Sequence, residues 1–171
     1  AGIAMSLILR PTAPLHQAGQ LTLLAGIALA ETLRTLDVPA TIKWPNDVLI
    51  AGRKVAGILT EMQTEADRIN SVIIGIGINV HHTQFPELLS DRATSLHLAT
   101  GKLIARAEIV GLFLNTFEPM YKKWLTEGFA SFVPAWEKYA DRLNDLVTLR
   151  TRQETVTGIL RGIQADGTLQ I

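Results

Sequence analysis

Cysteine is absent from the 171 residues. Its absence excludes disulfides, thiolate catalysis and zinc–thiolate sites, and points to a reducing cytoplasm. Excess charge is missing too. Lys+Arg number 16 against Asp+Glu 16, so no broad electrostatic footprint exists for nucleic acid or an anionic membrane, and no nucleic-acid contact is expected of this chain. Nor is there an apolar run of about 20 residues, the length needed to span a bilayer. The longest, Leu21 to Leu36, is interrupted by Gly26, Glu31, Thr32 and Arg34 and reads as a buried helix. The opening segment AGIAMSLILRPTAPL has no basic stretch before its apolar residues and is not read as a signal peptide.

What is present is a core. Hydrophobic residues make up 47% and charged residues 19%, the balance of a compact folded protein with one domain, or one domain and a small appendage. Ala4 to Leu9 reads as a strand. A helix is expected from about Leu15 to Leu36, stopping before Pro39. Thr41 to Lys43 is a strand, and Val48 to Ile50 with Val55 to Met62 form a hairpin about Ala51-Gly52-Arg53. A turn over Thr64–Arg68 leads into the strand Ser71 to Val80. These segments form an antiparallel meander with a helix on one face, an α+β layout. Helical spacing then covers Ala105 to Glu127, with a kink or break expected at Pro119, and a shorter helix covers Phe129 to Tyr139. After Asp141 come short strands, Leu146–Arg150, Glu154–Arg161 and Gly167 onward, with Asp166-Gly167 as a turn. The chain opens just before a strand and stops within one, which reads as part of a longer polypeptide.

Three stretches carry more polar chemistry than a sheet needs. In KWPNDV, Lys43 to Val48, Pro45 removes a backbone donor and takes the strand out of its ladder. Lys43, Trp44, Asn46 and Asp47 are then free to face a pocket, against the plainer reading of an Asx turn. In GRKVAGIL, Gly52 to Leu59, Lys54 is either a solvated hairpin lysine or a cation at a pocket mouth, and Gly57 allows a close approach to the backbone. In GIGINV, Gly75 to Val80, Gly75 and Gly77 strip one face of a strand, and Asn79 at its end can read a base edge. The G-x-G-x-x-G spacing is absent, so this is no dinucleotide fingerprint. His81 and His82 are loop residues without ligand partners, His16 and His97 are structural, no metal-ligand set is assigned, and Trp124 and Trp136 are core.

Taken in this order and spacing, KWPNDV, GRKVAGIL and GIGINV resemble the catalytic domain of biotin protein ligases. Ala93-Thr94-Ser95-Leu96, WEKYADRLND and the β tail are similar as well, so the resemblance covers essentially the whole chain. It implies a sheet with helices on one face, of the class II aminoacyl-tRNA synthetase-like type (residues 1–142), followed by the start of an SH3-like barrel (143–171). It also implies an enzyme that joins biotin to ATP, with Mg²⁺, as biotinyl-5′-AMP and then passes biotin to a lysine of a biotin carboxyl carrier domain. Carried over by motif, Lys54 would meet the biotin carboxylate and the α-phosphate. Asp47 would orient Lys54, the Mg²⁺·ATP or the acceptor lysine. Asn46 and Asn79 would lie near the adenylate, at its base. Lys43 and Trp44 would shape the same pocket, and Gly57 would pass close to the biotin chain. Such proteins often pair as homodimers. The family's glycine- and arginine-rich phosphate loop would lie upstream of Ala1, and no tryptophan lies between Val80 and Leu98 to stack on adenine. Two rival expectations follow: a ligase-like fragment that only binds or dimerises, and a lipoate or octanoyl ligase, which KWPND disfavours.

Overall fold

A computed structural model describes residues 1–65, 68–151 and 154–171. Five strands form one antiparallel sheet in the order β1-β5-β4-β3-β2. They are β1 (Ile3–Leu9), β2 (Ala40–Lys43), β3 (Asp47–Ile50), β4 (Arg53–Glu65) and β5 (Arg68–Ile78). Ala66 and Asp67, the centre of the turn expected over Thr64–Arg68, lie outside the described residues.

Period-2 alternation decides which face is covered. Along β5, Val72, Ile74, Ile76 and Ile78 are all buried. They belong to the same core as α1 (Gln20–Thr35), whose Leu- and Ala-rich surface is buried nearly all round because β2, β3 and β4 lie on one side and α3 (Arg106–Glu127) on the other. The helix begins five residues later than the sequence suggests. Leu15–Gln17 is a separate 3-10 turn, and Gly19 stands at the N-cap.

Pro119 does not break α3, which is continuous over 22 residues. Ile109, Phe113 and Phe117 before the proline and Trp124 after it are buried in the same core, and that shared packing outweighs one lost helical hydrogen bond. Two short helices complete the layer, α2 (Leu96–Thr100) and α4 (Val133–Tyr139).

The tail forms two hairpins, β6 (Leu146–Arg150) with β7 (Thr155–Ile159), and β8 (Gly162–Ile163) with β9 (Leu169–Gln170). The strand expected over Glu154–Arg161 is therefore shorter. The chain turns after Ile159 and enters β8 through Gly162, at φ +140°. The second hairpin docks on the first part of the chain: Ile163 joins the main core and Gln20 donates to the Asp166 carbonyl. None of the helices among the described residues is long and apolar enough to cross a membrane.

Candidate functional site

The uncovered face of the sheet carries one continuous row of paired residues: Ala4 on β1, Gly77 on β5, Gly57 on β4, Asp47 on β3 and Lys43 on β2. The next row holds Ser6, Gly75 and Leu59. Small residues on three adjacent strands make a trough, with charge only at the β2–β3 end. A methyl group on Gly77 would meet nothing within 4 Å, and one on Gly75 would reach only the Leu59 carbonyl at 3.6 Å. The bare face expected from GIGIN is thus real open space.

Lys54 enters this trough because β4 is bulged. Val48 pairs with Ala56 but Leu49 pairs with Lys54, so Val55 is the extra residue. In a regular strand Lys54 would share a face with Ala56 and Ile58, which are buried against α1. The bulge moves it to the face of Gly57. Its backbone is held from both sides, its N–H donating to the Arg92 carbonyl at 2.8 Å and its carbonyl accepting from Thr94 N–H at 2.9 Å. The stretch Ala93-Thr94-Ser95-Leu96 thus braces the lysine.

The side chain lies across Gly57, where a methyl group would fall 2.9 Å from both Lys54 Cε and Nζ. The space this glycine frees is filled by Lys54 itself. The ammonium forms an ion pair with Asp47 Oδ1. With 45% of the Lys54 side chain exposed and 21% of Asp47, the pair contributes little to stability. Its consequence is geometric: it sets where the cation stands.

Two recesses meet at Lys54. The larger, about 960 Å³, is bounded by Asn79, His82, Phe85, Asp91 and Arg92. The smaller, about 490 Å³, is bounded by Ser6, Asn46, Ile58, Leu59 and Gly75. Lys54, Gly57 and Gly77 belong to both. Lys43 and Asp47 face the larger one.

The two asparagines therefore fall in different recesses. Asn79 Nδ2 donates to the Thr94 carbonyl at 3.1 Å. Asn46 clamps Ile58, its Nδ2 donating to Ile58 O at 2.9 Å while its own carbonyl accepts from Ile58 N–H at 2.9 Å. It replaces the strand pairing that Pro45 interrupts. Trp44 lines neither recess. Its indole N–H donates to the Gly167 carbonyl in the tail at 3.1 Å.

Some of this site was not visible in sequence. His82 and Phe85 form a tilted ring pair, centroids 5.6 Å apart, beside the larger recess; a lone aromatic in an otherwise polar loop was the available signal. Ala4 and Ser6, alternating with Ile3, Met5 and Leu7, were the signal for a bare face on β1. Arg92 had none. Among the described residues no three His, Asp or Glu side chains gather closely enough to hold a metal ion.

Residues 1–79 match the sequence profile of the biotin/lipoate A/B protein ligase family. The chain is 46% identical over 171 residues to the bifunctional ligase/repressor BirA of Bacillus subtilis, covering 98% of this chain and 53% of that protein. It thus spans about half the length of the first curated relatives it matches. It is 35% identical over 176 residues to the biotin–[acetyl-CoA-carboxylase] ligase of Paracoccus denitrificans, covering 97% of this chain and 72% of that one. Among solved structures, the biotin protein ligase from Aquifex aeolicus in complex with biotin and ATP superposes with a TM-score of 0.87 at 33% identity, over 98% of this chain and 70% of that chain.

Proposed function

The chain belongs to the biotin protein ligases, and from that premise we propose that it carries the adenylation site of an enzyme that activates biotin with ATP and transfers it to a lysine of a carboxylase carrier domain. The observation that carries this reading is the meeting of two recesses at one lysine. The reaction brings together two anions, a carboxylate and a triphosphate. At about 4 Å two unit charges repel by about 4 kcal/mol at an effective dielectric of 20, and a fixed cation between them offsets that cost.

We assign biotin to the smaller recess over Gly57 and Gly75, and the nucleotide to the larger one. There the His82–Phe85 pair offers a ring surface for the base, and the Asn79 side-chain oxygen remains to accept from its amino group. The biotin carboxylate oxygen attacks the α-phosphorus, the bond to the β-phosphate oxygen breaks, and pyrophosphate leaves. Lys54 holds both oxygens, while Lys43 and Arg92 at the rim of the larger recess face the departing phosphates. In the second step the neutral carrier amine attacks the acyl carbon, the bond from that carbon to the phosphate oxygen breaks, AMP leaves with its charge again on Lys54, and the new amide nitrogen releases its extra proton to solvent. Asp47 keeps the ammonium in place throughout. Asp47 and Asp91 line the larger recess and would be the carboxylates to hold a Mg²⁺ brought in with the ATP phosphates, an ion that keeps most of its waters and would offset phosphate charge.

β3 covers β4 only as far as Gly57, and beyond the Asn46–Ile58 clamp no other strand among the described residues pairs with that edge. We assign it to the carrier strand or to a second copy of the chain. The division near residue 142 rests on the switch there from helices to short hairpins, and the cytoplasmic location on the lack of cysteine.

Lys54→Ala in the full-length protein tests the reading. Biotin-dependent pyrophosphate release should fall at least about 100-fold, the scale of losing one preorganised charge donor, with the fold intact by circular dichroism. Near-normal release would sink the role given to Lys54. Faster turnover with lipoate than with biotin would overturn the substrate.

A further inference from the structure

Trp44 sits inside the motif that carries Lys43, Asn46 and Asp47, yet it borders neither recess. Its indole, packed on the core, donates across 123 residues of sequence to Gly167 O at 3.1 Å. That carbonyl belongs to the turn between β8 and β9, where Gly167 N–H donates to Gln164 O and Gln164 N–H to Thr168 O. Further contacts fix the turn. Asp166 Oδ1 accepts from Thr168 N–H at 2.8 Å. Gly167 has φ +92°, and a methyl group there would lie 2.6 Å from Leu23 Cδ1. One residue earlier, Asp166 O accepts from Gln20 Nε2 at 3.3 Å, and the Gln20 Oε1 atom accepts from Trp124 Nε1 at 2.9 Å. Gln20 is only 6% exposed. Two successive carbonyls of the tail turn are thus read by two side chains of the first part of the chain.

We propose that the 164–168 turn is a positioning element of the adenylation site, acting through Trp44. This rests on the ligase reading above for its activity arm alone. The path is short. Trp44 follows Lys43, Lys43 pairs across the strands with Asp47, and Asp47 holds the Lys54 ammonium. With Pro45 out of the ladder, residues 44–46 of the β2–β3 break have two long-range hydrogen-bonded tethers among the described residues: the Asn46–Ile58 clamp on one side and the Trp44–Gly167 bond on the other. Release of the second lets the strand ends bearing Lys43 and Asp47 shift. Trp44 is accordingly a positioning residue, without contact to substrate.

The test is a pair of variants from the two ends of one hydrogen bond, in the full-length protein. Trp44→Phe keeps a ring against the core and removes the donor. Gly167→Ala moves the carbonyl without touching either recess. Each should lower kcat of biotin-dependent ATP–pyrophosphate exchange by roughly 10-fold with KM for biotin within twofold, since a sub-ångström misplacement acts on the transition state first. The double variant should be no slower than the worse single, because both cut one path. A purely structural role would lower melting temperature and active fraction while kcat per folded molecule stayed within twofold, and that result overturns the proposal. A second readout is independent of activity: backbone amides of residues 43–50 should exchange with deuterium at least about 10-fold faster in both variants while α3 stays protected. Unchanged exchange there also overturns it. If the wild type shows no biotin-dependent exchange of pyrophosphate, the ligase reading fails, and amide exchange still decides the positioning role.

Discussion

Gly57→Ala should separate catalysis from stability. The added methyl would sit 2.9 Å from Lys54 Cε and Nζ, and ordinary contact between such atoms is about 3.5–4.0 Å. The ammonium must therefore retreat by roughly 0.6–1.1 Å, measured against that contact distance. The obstacle is the free end of a flexible side chain, so the fold adjusts at little cost. The ion pair surrendered is half-exposed and worth at most about 1 kcal/mol, which for a chain of this size lowers the melting temperature by about 2–4 °C. The reaction has no such tolerance. A misplacement of about 1 Å costs on the order of 100-fold in rate, or about 2.7 kcal/mol of barrier at 1.36 kcal/mol per tenfold. The assay is single-turnover formation of biotinyl adenylate beside thermal unfolding of the same preparation. An adenylation rate within threefold of wild type would refute the idea that this glycine seats the lysine. A loss of melting temperature beyond about 10 °C would show instead that Gly57 serves the sheet.

Gly77→Ala makes the complementary prediction. A methyl there meets nothing within 4 Å, so unfolding should be unchanged within about 0.5 kcal/mol, whereas filling the shared floor of both recesses should weaken biotin or ATP binding at least about 10-fold, or about 1.4 kcal/mol, by calorimetry. A pH effect belongs to the tail turn. The backbone N–H of Thr168 and then its side chain hold the Asp166 carboxyl below its ordinary value. A depressed carboxyl stabilises above the unfolded pKa, about 3.9, and that contribution is lost as pH falls through the folded value. The Thr168 amide should lose protection in that acid range in wild type, and Asp166→Asn should show the loss already at pH 7; equal protection in the two proteins at pH 7 would contradict this.

Much of the architecture was legible in the residues. Alternation in Val72–Ile78 and the dense Leu/Ala pattern of α1 dictate a half-covered sheet, because only one arrangement buries both. KWPNDV, GRKVAGIL and GIGINV pointed to the candidate site because a broken strand, a turn lysine and alternating glycines are each poor ways to build a core. That Lys54, Asp47 and Asn79 belong to one site could be read from chain order and family resemblance alone.

Tertiary structure decided where each group stands. Strand parity placed Lys54 on the wrong face, and only the bulge at Val55, set by pairing with β3, turns it into the trough. In sequence Trp44 read as a pocket wall and Asn46 as an amide facing the pocket. In space Asn46 repairs the ladder beside the smaller recess, and Trp44 ties the motif to the tail, since their partners Ile58 and Gly167 come from strands and turns that no local pattern specifies. Pro119 argued for a kink or a break, and burial on both sides of it kept α3 continuous. Local composition determines periodicity, turn chemistry and which residues are costly to leave in a core. Register, bulges and long-range hydrogen bonds depend on the whole chain closing on itself, so the face on which Lys54 stands is a property of the folded sheet.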